Sequence, residues 1–263
     1  METKILTFRE HDYKRNMTPI SIEPNITNST IFLDNKGTVI GFYLKELPQK
    51  VQNVVNYCNQ ELRSDKVPKS VMQRRLPTGR KTPTGAWEYD TVEQESVIIG
   101  SVPAKAHQRR PYNTISSVHL TPSAQNFIKG MLLLCKLSED LIKEFMPEQY
   151  EKQKKIIEEN VLPKFRFGEL FTSSISNYNI AANYHIDTKN LKETVNIIYS
   201  KKKDATGGNL HVPDYDLCFD NLDNSMICYP AWHSLHGVTP IIPTKKGGYR
   251  NSLVFYPLSG LTY

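Results

Sequence analysis

Two short apolar runs near the start of the chain, residues 30–33 and 38–43, flank Asp34, Asn35, Lys36 and Gly37. That pattern predicts a β-hairpin whose loop closes on Gly37. From Leu47 onward Val51, Val54, Val55, Cys58 and Leu62 recur at helical spacing, so an amphipathic helix packed on a sheet is expected next. Residues 63–85 lose the periodicity and carry Arg63, Lys66, Lys69, Arg74, Arg75, Arg80 and Lys81 among Pro, Thr and Gly, which reads as a basic surface loop suited to gripping phosphates. The run TGRKTPTG within it lacks the GK[ST] ending of a phosphate-binding Walker loop.

A second helix is marked by Thr121 as cap and Pro122 in the first turn. Its stripe of Phe127, Met131, Leu134, Leu141 and Phe145 faces a core, and Pro147 ends it. A shorter charged helix is expected over about 148–160, before Pro163. From Phe165 the texture changes to short β-type runs at about 167–176, 178–185, 193–200, 208–212, 225–229 and 250–257. Several short strands at this spacing predict a sandwich or open barrel, and the fold class is α+β with helices flanking the sheet. No internal repeat is visible. The chain of 263 residues divides into an N-terminal extension over 1–100 that contributes to the same globule and a catalytic domain over 101–263.

Composition narrows the setting. With 39% hydrophobic and 23% charged residues the chain is an ordinary folded protein, and no stretch reaches the length needed to cross a bilayer. The first residues lack an apolar core with a cleavage site, so a cytoplasmic location is expected and no membrane partner. Cys58, Cys135, Cys218 and Cys228 lack CxxC spacing and read as reduced, buried thiols. The net charge of +6 points toward an anionic partner, with DNA foremost, because phosphates are neutralised by Lys and Arg. A second basic cluster, His107, Arg109, Arg110 and Tyr112, adds to it.

The chemistry concentrates in the β-rich half. His185 and Asp187 stand two apart at the end of an expected strand, where i and i+2 project from one face and reach one ion. Two imidazoles and one carboxylate form the facial ligand set of non-haem iron(II) oxygenases. A second histidine is therefore required, and both His233 and His236 lie downstream. Beyond them Arg250 and Ser252 share one face of a strand; an arginine fork suits a carboxylate of a small acid such as 2-oxoglutarate, and the serine adds a further bond.

In this order of motifs the sequence resembles the double-stranded β-helix dioxygenases, most closely the TET/JBP-type nucleobase oxygenases and their small viral relatives. The resemblance covers about residues 171–258. It also rests on Asn177-Tyr178-Asn179, on Gly207-Gly208-Asn209-Leu210 with Pro213 and Asp214, and on His236-Gly237. It implies a jelly-roll core, iron(II) held by His185, Asp187 and His236, and His236 rather than His233 because Gly237 follows it. Arg250 and Ser252 would hold 2-oxoglutarate, with Asn177 and Asn179 as further cosubstrate contacts. Dioxygen is the co-oxidant.

The substrate so implied is the methyl group of thymine or 5-methylcytosine in DNA, in a flipped or unpaired base. Arg74, Arg75, Arg80, Lys81, Arg109 and Arg110 would contact DNA, with Tyr112 and Trp232 as stacking surfaces. The viral relatives add the cytoplasm of an infected cell as a setting. The cysteine-rich and zinc-binding segments of larger family members are missing, so their way of engaging DNA does not transfer. A protein or small-molecule hydroxylase uses the same ligands, and a binding module that kept the fold without catalysis is a third reading, against which the intact ligand set argues.

Overall fold

The computed structural model describes residues 1–105 and 111–262, with side chains at all of these except 72–80 and 87–93. Strands β1 (Glu2–Ile5), β2 (Thr30–Leu33) and β3 (Val39–Leu44) precede helix α1 (Gln49–Arg63). Next come β4 (Ser70–Lys81), β5 (Trp87–Val102), β6 (Thr114–Ile115), α2 (Gln125–Phe145) and α3 (Pro147–Asn160). The C-terminal half holds β7 (Ser173–Tyr178), β8 (Asn196–Lys203), β9 (Ala205–Gly207), β10 (Leu210–Val212) and β11 (Leu217–Phe219). It ends with β12 (Ser225–Tyr229), β13 (Gly237–Val238), β14 (Ile241–Pro243) and β15 (Tyr249–Tyr256).

A ten-stranded sheet in the order β1-β2-β3-β12-β8-β15-β7-β5-β4, with β6 on β5, organises the α+β fold. Its two faces do different work because side chains alternate along each strand. Ile197 and Tyr199 of β8, Met226 and Cys228 of β12, and Leu253 and Phe255 of β15 point to one face and form a single cluster with Val55 of α1 and Met131 of α2. The intervening residues point the other way. There Ile227 and Tyr229 meet Leu210, Val212, Leu217 and Phe219 of the small β11-β10-β13 sheet, while Ile198, Arg250, Ser252 and Val254 line a cavity.

Four expectations are corrected. The basic stretch 63–85 is no loop: β4 pairs with β5 in an antiparallel ladder from Ser70 opposite Ser96 to Lys81 opposite Trp87. Its pattern is obscured because Pro77 and a register shift before Lys81 interrupt the alternation. Residues 178–185 are not a strand; the chain leaves β7 at Asn179, whose φ of +55° breaks the extended run. The run 167–176 is likewise shorter, since Phe167 and Phe171 form an isolated bridge and the strand begins at Ser173. β9, β11, β13 and β14, of two or three residues each, are too short for periodicity to reveal. Pro122 opens a 3-10 turn that runs into α2, and the Thr121 side chain makes no cap bond. All four cysteines are free and buried.

Buried polar groups knit the layers together. Gln153 of α3 is fully buried; its amide donates to the carbonyls of Leu170 (2.9 Å) and Val195 (3.3 Å) and accepts from the Val195 amide (2.8 Å). Gln153→Leu keeps the volume but strands these backbone groups, so a loss of about 1–3 kcal/mol is expected in urea unfolding. His119 supplies a pH-dependent contact. Its Nε2 accepts from the Gly100 amide at 2.8 Å, and burial holds its pKa below the ordinary imidazole value. Because the folded value is depressed, the unfolded chain binds the proton first as pH falls. This stabilisation is complete above about pH 6.5 and is lost as pH falls through the folded value. The urea midpoint should decline from pH 7 to pH 5, less steeply in His119→Gln, whose amide oxygen can still accept from Gly100.

Candidate metal centre and cosubstrate pocket

His185 and His236 meet as an isolated antiparallel bridge, the amide of each donating to the carbonyl of the other at 2.8 and 2.9 Å. The two rings lie 4.3 Å apart, centroid to centroid. Each Nδ1 sits against the carbonyl two residues upstream, Asn183 for His185 (2.7 Å) and Ser234 for His236 (2.9 Å). A protonated Nδ1 donating to that carbonyl leaves both Nε2 lone pairs free for a metal. Asp187 is turned to the same point: its Oδ1 is 3.6 Å from His185 Nε2, and its Oδ2 accepts from Asn196 (3.1 Å), itself held by Asn190 (2.9 Å).

One donor atom from each of the three lies within 4.8 Å of the others. Among the described residues this is the only such grouping. His236 is 4% exposed, whereas the His185 and Asp187 side chains are 44% and 33% exposed, so the trio is closed on one side and open on the other. Burial, with His185 adding to it, holds His236 below the ordinary imidazole value, so its ring is neutral at neutral pH and its lone pair is available. His233 is exposed and hydrogen-bonded to the Ser234 hydroxyl, outside the trio. His211, in β10, is buried and bonded through Nδ1 to the Tyr184 hydroxyl.

The trio opens into a cavity of about 500 Å³, which Asn177, Arg250 and Ser252 also line. Arg250 is 3% exposed, and its Nε is buried with no hydrogen-bond partner among the described residues. Burial lowers its pKa to about 10, so it remains a cation at neutral pH. A buried, partly unpartnered guanidinium calls for an anion. Gly208 makes room for it: a Cβ there would lie 3.1 Å from Arg250 Cγ, and its φ of +69° suits glycine.

Ser252 stands beside Arg250, its Oγ accepting from Asn177 Nδ2 at 3.2 Å. Asn179 does not line this cavity; it holds the backbone of Arg250, accepting from its amide at 2.9 Å and donating to its carbonyl at 3.0 Å. The donor set fits iron(II), and the orphaned Arg250 fits a carboxylate such as that of 2-oxoglutarate.

Of the residues expected to touch DNA, Arg74, Arg75 and Arg80 lie on β4 with side chains outside the described set, and Arg109 and Arg110, with His107, lie outside the described residues. Lys81 is exposed at the end of β4, and Tyr112 is 79% exposed. Trp232 is half-buried against His233. Asn196 and Asn190 were not apparent from the sequence. Asn196 lies on β8 in phase with the cavity-lining Ile198, and that alternation is the signal that could have found it.

The arrangement defines a class: a mononuclear iron oxygenase that works with an anionic cosubstrate. The family model for the oxygenase domain of the 2OGFeDO superfamily, Tet_JBP, matches residues 103–258, more than half of the chain, and the protein belongs to that family. It is an iron(II)- and 2-oxoglutarate-dependent dioxygenase that uses molecular oxygen.

Among solved structures the chain is similar to NgTET1 in complex with 5mC DNA, at a TM-score of 0.60 and 14% identity over 94% of this chain and 84% of that one. Weaker likenesses are a 2OG-Fe(II) oxygenase-family oxidoreductase from Burkholderia pseudomallei (TM-score 0.44, 12% identity, 85% and 89% covered) and OsALKBH1 (0.37, 14%, 82% and 97%). Among curated proteins none matches the sequence. No helix among the described residues is long and apolar enough to cross a membrane.

A buried cation without its anion weighs on the ligand-free protein. Arg250→Met should therefore raise the stability of the apo chain by about 1–4 kcal/mol while abolishing saturable 2-oxoglutarate binding. Thermal unfolding and calorimetric titration would check the two halves.

Proposed function

We propose that the protein hydroxylates the methyl group of a pyrimidine base, 5-methylcytosine or thymine, in DNA. The observation that carries this reading is the match to the Tet_JBP oxygenase domain. The likeness to a TET structure whose complex contains 5mC DNA supports it, as does the net charge of +6. In the same reading the strands around the cavity are the jelly-roll of the family, and residues 1–100 are an extension of one catalytic globule rather than a separate module.

His185, Asp187 and His236 would hold iron(II), and Arg250 with Ser252 and Asn177 the distal carboxylate of 2-oxoglutarate. When bound, iron, 2-oxoglutarate and dioxygen supply oxidative decarboxylation to succinate and carbon dioxide, with transfer of an oxygen atom to a C–H bond. The protein's part is positional. The upstream carbonyls of Asn183 and Ser234 orient the two imidazoles, and Asn196 fixes the carboxylate rotamer of Asp187.

Ile175, Ile198 and Val254 give the cavity an apolar wall that limits water around the reacting groups. The exposed side of His185 and Asp187 is where a base swung out of its stack would enter. Arg74, Arg75, Arg80, Lys81, Arg109 and Arg110 would neutralise phosphates, and Tyr112 would offer a stacking face.

Incubation with iron(II), 2-oxoglutarate and methylated or plain DNA should give a hydroxymethyl pyrimidine nucleoside by mass spectrometry, with matching succinate. Replacing Arg74, Arg75, Arg109 and Arg110 together by Ala should weaken DNA binding and flatten its dependence on salt. Turnover without any oxidised base, unaffected by these substitutions, would point instead to a protein or small-molecule hydroxylase.

A further inference from the structure

The N-terminal segment reaches across the molecule to both histidine-bearing segments of the metal centre. Residues Asn16 and Met17 bracket Tyr184: the Asn16 amide donates to the Tyr184 carbonyl at 2.8 Å, and the Tyr184 amide donates to the Met17 carbonyl at 2.9 Å. Asn183, whose carbonyl orients the His185 ring, donates from its side chain to the Asn16 carbonyl at 3.0 Å and accepts from the Thr18 hydroxyl at 3.3 Å. The Tyr13 ring lies against both Tyr184 and His211, at 5.0 and 5.1 Å between centroids. Those two side chains share the hydrogen bond noted above, so one aromatic ring covers a buried pair of which Tyr184 directly precedes His185 in the chain.

The second ligand is approached from the same segment. Asp214 spends its two carboxylate oxygens on different partners: Oδ1 bonds to His11 Nε2 at 2.8 Å, and Oδ2 accepts from the Leu235 amide, also at 2.8 Å. Leu235 directly precedes His236. Pro19 closes over the following residue, since a Cβ at Gly237 would lie 2.8 Å from Pro19 Cγ and 3.0 Å from the Tyr184 ring. The glycine after the last histidine is thus required by the packing of this segment.

We propose that residues 9–19 act as a strap that sets the geometry of the metal centre, with Tyr13 and His11 as positioning residues. Tyr13 acts on His185 through Tyr184, and His11 acts on His236 through Asp214 and Leu235. Neither belongs to the ligand trio or lines the cavity. The physical basis is that an imidazole's direction is fixed by what its other nitrogen and its backbone are bonded to, so loosening those supports weakens metal binding without removing a ligand.

The proposal rests on the metal-site reading above, and the test separates the two. Cobalt(II) serves as the probe, titrated into the metal-free full-length chain and followed by its visible absorption. Tyr13→Ala and His11→Ala should each raise the cobalt(II) dissociation constant about tenfold and alter the band shape. Tyr13→Phe, which keeps the ring, should restore the wild-type value. Arg15→Ala, at an exposed position of the same segment, should change nothing. Binding of 2-oxoglutarate to the cobalt-saturated variants should stay within about twofold, because Arg250 is held by Asn179 and Gly208 instead; general unfolding would move both constants.

Should Tyr13→Ala fail to fold, His11→Gln, which keeps a polar side chain in this partly buried position but cannot reproduce the imidazole bond to Asp214, decides the matter. Folded variants that bind cobalt(II) with the wild-type constant and spectrum overturn the strap alone. A wild-type chain that takes up no cobalt(II) overturns the metal-site reading itself.

Discussion

The site depends on one small piece of backbone pairing. His185 and His236 are fifty-one positions apart, yet each donates its amide to the other's carbonyl, and this reciprocal pair sets the distance between the two rings. A directly opposed pair in an antiparallel bridge brings its side chains close and onto one side of the local ribbon. Asp187, two residues on from His185, then faces the same way, and its amide is anchored on the Ala231 carbonyl at 3.1 Å. The backbone supplies the convergence; the side-chain supports supply the direction.

The large sheet supplies the remaining coordinate. In β15 the odd residues Leu253 and Phe255 bury themselves under the helices, so the even residues Arg250, Ser252 and Val254 are committed to the cavity. A one-residue slip would exchange the two sets, putting a guanidinium into the helix-facing core. The register is held on both flanks, against β8 over Tyr249 to Phe255 and against β7 over Asn251 to Tyr256. Core packing on one face therefore determines where the cosubstrate-facing cation stands on the other.

Much of this was legible where chemistry lies close together along the chain. His185 with Asp187, and Arg250 with Ser252, are i and i+2 pairs, and each pair does share a face. The choice between His233 and His236 needed the glycine that follows, and its packing reason emerges only when Pro19 and Tyr184 are seen against it. The sequence places the first pair at the end of a strand over 178–185, yet the pairing there is a single bridge at His185, which leaves no longer pattern to read. The basic stretch over 63–85 carries charge in place of apolar alternation, so its strand, defined by pairing with β5, was invisible. What no pattern could disclose is contact between distant segments, such as Asp214 joining His11 to Leu235.

The two ends of the cavity, one suited to a metal cation and the other to an anionic cosubstrate, are supported in different ways. Around Arg250 the shaping elements are local: Asn179, whose side-chain oxygen and backbone amide both bond the Arg250 main chain, and the open space left by Gly208. Neither support comes from the N-terminal segment. The segments that carry the imidazoles are held in addition by backbone and side-chain contacts from a stretch 167 to 203 positions away in sequence, and loop-closure entropy opposes ordering so distant a segment unless its contacts return more than it costs. The metal centre is thus finished only when the first twenty residues are in place, while the arginine end of the cavity is complete once the central strands have paired.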